Sequence, residues 1–410
     1  MSAPEVVHLH IGLHKTGTTY LQNLMRANRD RMRAQGVEFT GGPGEPVQAF
    51  AVLDLQGRRP RGTKDARVPG SWDALVRSVN TCGLDAALIS EERLSLCSPR
   101  QARKAVAAFP DSQVHVVVTV RDLARVAVSA WQEEVKNDQT WTWQEFVSSI
   151  KDPSRSAVSP ARGFWLRQDL AKICETWEAG VPAGRMHVVT VPPSGTSPEV
   201  LLDRFASVVG FRAGRLTEHP HWTNEMIGVA GTEVIRRVNE RLGGRLNQRQ
   251  YDKAVKLTLV QMLAGRAETT RFTLPSEELD WVRARAEEMI LAVEKRGYHV
   301  VGSLDELRPR LRQDARRPDD VTRDELLDAS LDALAMLAER FATSWWQRRK
   351  EDASSGSSRT EVASLAREMV FRGQTKAAGL ADRNSVAAKL MAGAMRVRDR
   401  ARLRARHRGA

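Results

Sequence analysis

Residues Val6-Val7-His8-Leu9-His10-Ile11 read as a short strand that breaks into Gly12-Leu13-His14-Lys15-Thr16-Gly17-Thr18-Thr19. From Tyr20 the apolar residues Leu21, Leu24, Met25 and Met32 recur at helical spacing until Gly36 ends the run. Few arrangements constrain a fold as strongly as strand, glycine-bearing loop and helix within so short a stretch. The helix N-terminus presents unpaired backbone N–H groups and the positive end of a macrodipole, and both favour a phosphate-like anion. Gly17 lets the backbone approach that anion closely, and Thr18 and Thr19 add hydroxyl donors in the first turn.

The pattern continues in the same style. Strands are expected at 86–90, at 114–120 and at 186–191, separated by helical stretches at 71–80, 99–109, 123–136 and 162–178. The 114–120 run is almost continuously apolar, which suits a central parallel strand covered on both faces. Alternating strands and helices imply a parallel sheet with right-handed crossovers, an α/β fold. Residues 40–70, rich in Gly, Pro and Arg, read as a loop or mobile insertion. Beyond Pro192-Pro193 the chain reads as helical, with helices at 198–209, 224–241, 251–264 and 275–296, the last closed by Gly297. Thr322 and Glu325 form a capping-box pattern ahead of a stripe of Leu327, Leu331, Leu334, Ala338, Phe341 and Trp345, expected to pack on the body or on a partner helix.

Charge divides the chain further. Residues 359–410 hold 13 Lys and Arg against 4 Asp and Glu, leaving only +4 of the formal +13 for the rest. The basic tail, with arginine at every second position from Arg396 to Arg408, could meet an anionic membrane surface or a nucleic acid. Its charge says little about the substrate of the body. The expected organisation is a main domain over 1–310, a helical extension over 311–350, and a linker with basic tail over 351–410. Cys82, Cys97 and Cys174 show no CxxC spacing, which points to reduced thiols and away from a thiolate zinc site. No apolar run approaches the ~18 residues of a membrane span, and residues 1–5 lack a signal-peptide pattern, so a cytoplasmic protein is expected.

The Gly12-x-x-x-x-Gly17 spacing resembles a Walker A loop, but that loop wants lysine directly after its second glycine. Here Thr18 takes that place and the lysine, Lys15, comes two residues before Gly17. No acidic partner for Mg²⁺ opens the segment after the third strand, which begins Arg121-Asp122. The loop therefore reads as a binder of a phosphate-like group without a required metal.

His14-Lys15-Thr16-Gly17-Thr18-Thr19 resembles the 5′-phosphosulfate loop of sulfotransferases that use 3′-phosphoadenylyl sulfate (PAPS). The same family carries a strand ending in arginine and a serine eight residues later, both on the cofactor 3′-phosphate; Arg121 and Ser129 match. Trp131 and Lys136 also fall where such sequences carry an aromatic and a basic residue. The resemblance is clear over residues 5–150 and continues to about residue 305 through Trp177, the Val188–Pro192 segment and Asn224. Leu123 stands where the family has proline, and the Gly-rich basic segment of its cytosolic members has no counterpart.

The resemblance implies a P-loop-like central parallel sheet flanked by helices, with a helical C-terminal half, PAPS as donor and no metal. It implies cofactor contacts from His14, Lys15, Thr16, Gly17, Thr18, Thr19, Arg121 and Ser129. Lys15 would neutralise the leaving phosphate, and a base would take a proton from the acceptor, a hydroxyl or amine of a glycan, glycolipid or natural product. Glu91, directly after the second strand, is the first candidate base, with Glu92 and His14 as further candidates. A P-loop small-molecule kinase and a non-catalytic nucleotide-binding scaffold stand as alternatives. His8 and His10, alternating with apolar residues, read as sheet-face histidines. His219 and His221 read as structural, Trp141 and Trp143 as packing, and Trp345 and Trp346 as core or interface.

Overall fold

The computed structural model describes residues 2–354 except 43, 46, 60–64, 153–159, 220–226, 267–272 and 311–315, and only the backbone of 348–354. Its centre is a sheet of six strands, β1 (Val6–His10), β2 (Val37–Phe39), β3 (Ala86–Ser90), β4 (Gln113–Val120), β5 (Met186–Thr190) and β6 (His299–Val301), in the order β2-β3-β1-β4-β5-β6. Every pairing is parallel, with Val7 opposite Ala87 and Val114, and Val117 opposite His187. Helices cover both faces, as the apolar run of β4 demands. The fold is α/β and P-loop-like, with β1 and its loop in the middle of the sheet.

The four long strand patterns appear as strands. The two added edge strands are three residues each, too short for a period to register. One expectation needs correction: within 40–70, Gln48–Leu55 is a helix with Ala51, Val52 and Leu55 buried. The Gly and Pro residues bracket it and hide a short apolar face. The 20–35 helical pattern is also not one rod. Thr18–Ala27 and Arg29–Arg33 are separate helices, broken at buried Asn28, whose Nδ2 donates to the carbonyls of Leu24 and Glu218 at 2.9 and 2.7 Å. Asp169 similarly divides 162–178 by capping the second piece through Lys172 N. Asn224 and His221 lie outside the described residues; the helix expected from 224 is described from Val229.

On one face of the sheet Val7, Leu9, Val116 and Val118 pack with Trp131, Trp143 and Trp177. On the other, Leu88, Val117 and Val189 meet Leu21, Leu24, Leu201 and Phe205. Burying a side chain of that size stabilises by roughly 1.5–3 kcal/mol, so these two layers hold the sheet in register.

By its contacts the chain divides into two units, Met1–Leu334 and Ala335–Ala410. In the first unit the Thr322–Glu325 capping box forms, with Glu325 N donating to Thr322 Oγ1 at 3.2 Å and Thr322 N to Glu325 Oε2 at 2.9 Å. Ala329 and Ala333 are the buried positions of the helix that follows, whereas Leu327, Leu331 and Leu334 are exposed, so the leucine stripe does not pack on the body. Within the second unit, Trp345 and Trp346 meet edge to face, 4.9 Å between ring centroids. Most of the linker and all of the arginine-rich tail lie outside the described residues. Among the described residues no helix is long and apolar enough to cross a membrane.

Candidate functional site

A cleft of about 970 Å³ opens at the carboxyl ends of β1, β3, β4 and β5, where ligands of parallel α/β sheets bind. Its floor is the loop after β1. Pairing with β4 continues past the strand, with Ile11 N donating to Val117 O at 2.9 Å and Leu13 N to Thr119 O at 2.8 Å. The chain then turns through left-handed conformations at Lys15 (φ 67°) and Gly17 (φ 85°), and Gly17 caps the Thr18–Ala27 helix. A Cβ on Gly17 would crowd Leu201 Cδ2 at 2.8 Å, and the left-handed φ itself favours glycine there.

A buried chain of polar groups braces the loop from below. Thr16 Oγ1 donates to Leu13 O at 2.6 Å and lies 2.7 Å from Thr119 Oγ1. Thr119 Oγ1 is 3.2 Å from His10 Nε2, and His10 Nδ1 is 2.8 Å from Ser90 Oγ. Burial pushes the His10 imidazole down to about 3, against the pull of Glu92, so it stays neutral. Thr16 thus spends its side chain inside the loop. His14, Lys15, Gly17, Thr18 and Thr19 line the cleft.

The wall beyond β4 brings the second group of expected residues to the same space. Asp122 accepts from Arg125 N at 3.0 Å and starts the Leu123–Lys136 helix, with Leu123 buried where the family has proline. Arg125, Ser129 and Glu133, four residues apart, share the helix face that lines the cleft. Arg121 lines it too, donating from Nη1 to Lys15 O at 3.4 Å. Its Nε is buried without a partner among the described residues. Burial and the nearby Arg125 charge pull the Arg121 guanidinium down to about 10, still charged at neutral pH, with Asp122 opposing. Trp131 belongs to the core, donating from Nε1 to Trp141 O at 2.9 Å.

The three candidate bases differ. Glu91 does not line the cleft; it caps the 3₁₀ turn through Arg93 N at 3.3 Å and accepts from Arg93 Nη1 at 3.0 Å. Burial raises its pKa. Glu92 does line the cleft and sits 3.3 Å from His14 Nδ1. Burial alone would raise Glu92, but the His14 contact and the charges of His14, Lys15 and Arg93 hold it below the usual carboxylate range. Gln168 Nε2 fixes the His14 carbonyl at 2.9 Å, and His14 Nε2 is buried without a partner among the described residues.

Several lining residues escaped sequence reading. Lys15 Nζ reaches Glu133 Oε2 at 2.8 Å. Burial would raise Glu133, but Lys15, Lys256 and Asn137 hold it at about 2. Glu133 lies four residues past Ser129, a helix-face spacing that could have marked it. Lys256 and the 191–198 loop had no such local signal. The cleft's cations are Lys15, Arg93, Arg121, Arg125, Arg167 and Lys256, against Glu92, Glu133 and Glu134, so the lining favours an anion. Among the described residues no group of three or more His, Cys, Asp and Glu side chains is placed to hold a metal ion.

No family model matches the chain, and no curated protein matches it in sequence. Solved structures similar to it include two sulfotransferases. A crystal structure of a sulfotransferase from Alicyclobacillus acidocaldarius is 14% identical with a TM-score of 0.37, over 61% of this chain and 99% of that one. The sulfotransferase domain from the curacin biosynthetic pathway is 11% identical with a TM-score of 0.32, over 73% of this chain and 100% of that one. Both superpositions are loose, and the weight falls on the residues of the cleft.

Proposed function

We propose that the chain is a sulfotransferase that takes PAPS as donor and a hydroxyl- or amine-bearing glycan, glycolipid or natural product as acceptor. One observation carries the reading. The Lys15 loop and the Arg121–Ser129 pair, more than a hundred residues apart in sequence, line one cationic cleft. Two buried polar atoms there, His14 Nε2 and Arg121 Nε, lack partners among the described residues. Buried polar groups are nearly always satisfied, so a ligand with anionic and hydrogen-bonding oxygens fits the vacant bonds.

When bound, PAPS supplies a sulfuryl group on a phosphate leaving group. The chain's part is positioning and charge stabilisation. Lys15 and the loop N–H groups neutralise negative charge at the floor. Arg121 and Ser129 hold a phosphate against the Leu123–Lys136 helix. His14 Nε2 accepts the acceptor's proton, while Glu92 at Nδ1 orients the ring and steadies the imidazolium that forms. Glu91 acts only by holding the turn that presents Glu92.

The test is a calorimetric titration of the full chain with adenosine 3′,5′-bisphosphate, with and without Mg²⁺. Saturable binding independent of the metal is expected, weakened about ten- to a hundredfold in Arg121→Ala, the loss of a charged hydrogen bond. Absence of binding, together with Mg²⁺-dependent phosphoryl transfer from ATP, would favour a kinase instead.

A further inference from the structure

Lys256 is one of the cleft cations to which this reading gives no role. Lys256 comes from a π-helical stretch, Asp252–Leu259, set between the helical turns Gln248–Tyr251 and Val260–Ala264. The wider turn buries Val255 and Leu259 while Lys256 lines the cleft. Single π turns inside helices recur at functional sites because they re-aim one side chain relative to its neighbours.

Lys256 Nζ donates to Asn137 Oδ1 at 2.6 Å and stands 3.5 Å from Glu133 Oε1. The other carboxylate oxygen, Oε2, accepts from Lys15 Nζ at 2.8 Å. Asn137 Nδ2 ties the carboxylate in place, donating to Glu133 Oε1 at 3.0 Å and to Glu133 O at 2.8 Å. One carboxylate therefore bridges two ammonium groups, one on each oxygen. This trio carries a net positive charge.

We propose that Lys256 is a second cationic contact for the sulfuryl group, acting with Lys15, and that Glu133 and Asn137 hold the two ammonium groups on either side of one carboxylate in the cleft. The assignment rests on the sulfotransferase reading and names a residue for the transferring group rather than for the nucleotide. An ordinary exposed ion pair would be worth little and would need no third group. Here the carboxylate is shared and anchored in the wall of the cleft.

The sulfonate is what distinguishes PAPS from adenosine 3′,5′-bisphosphate, so binding of the two ligands to full-length wild type and Lys256→Gln separates the possibilities. Lys256→Gln is expected to bind PAPS about tenfold or more weakly, as for one lost charge-assisted hydrogen bond, and the bisphosphate within about twofold of wild type. Lys256→Arg should keep most of the PAPS affinity and Lys256→Met should lose it, which carries the comparison if the glutamine variant does not fold. Equal weakening of both ligands, or no change in either, overturns the assignment while the wild type still binds both. A wild type that binds neither overturns the sulfotransferase reading as well.

Discussion

The same face of the sheet carries two histidine-bearing polar clusters, and they are built differently. At the carboxyl end, under the loop, His10 is flanked by the hydroxyls of Ser90 and Thr119. Toward the amino ends of the strands, His8, His115, His187 and His299 stand in a row across β1, β4, β5 and β6. His115 Nδ1 lies 2.8 Å from His187 Nε2, and His187 Nδ1 lies 2.9 Å from His299 Nδ1. His8 sits beside His115, with ring centroids 5.5 Å apart. Hydroxyl neighbours stay uncharged, so the upper cluster transmits a fixed geometry through Thr16 to the loop after β1. Imidazole neighbours can charge, so the lower row stays intact only while its members are neutral. Burial and mutual repulsion push His8 down to about 3 and His187 to about 4, and burial with the Arg185 charge lowers His115.

The comparison can be broken from either end. The largest effect belongs above the upper cluster. Lys15→Ala should cut sulfuryl transfer from labelled PAPS by at least about 10³-fold and His14→Ala by about 10²–10⁴-fold, whereas Glu91→Gln should stay close to wild type. Both loop variants should melt near the wild-type temperature; comparable losses in Glu91→Gln would return the base to that residue. His10→Ala comes next. Leaving two buried hydroxyls short of a partner should cost about 1–3 kcal/mol in urea unfolding and weaken bisphosphate binding, because the brace under the loop is lost. Stability loss with unchanged binding would detach the loop from its support.

The smallest effect at neutral pH belongs to the lower row. Well above pH 6.5 folded and unfolded chains both hold His8, His115 and His187 neutral. As pH falls from 6.5 toward about 4, the unfolded chain binds protons that His187 refuses in the fold, so stability declines over that window. His187→Gln should make this decline shallower by up to about one proton and leave bisphosphate affinity at neutral pH unchanged. An acid limb identical to wild type would remove the row from the account.

Glu91 and Glu92 show how far sequence carries. Both follow β3, both carry the same side chain, and no spacing separates them. The 3₁₀ turn beginning at Glu92 sends one carboxylate to Arg93 and the other to His14. The 40–70 segment teaches the complementary lesson, since a short helix between glycines leaves too few turns for a period to emerge.

The amino-acid order by itself determined the alternation of strands and helices, a glycine at the loop's turn into the helix and the threonines at the helix start. These depend on backbone sterics and side-chain periods within a few residues. Only the tertiary structure decided that Lys15 meets Glu133, that a π turn delivers Lys256 beside them, and which buried nitrogens stay unpaired. Those outcomes join residues more than a hundred positions apart, and packing of helices on the sheet, not local preference, sets such distances.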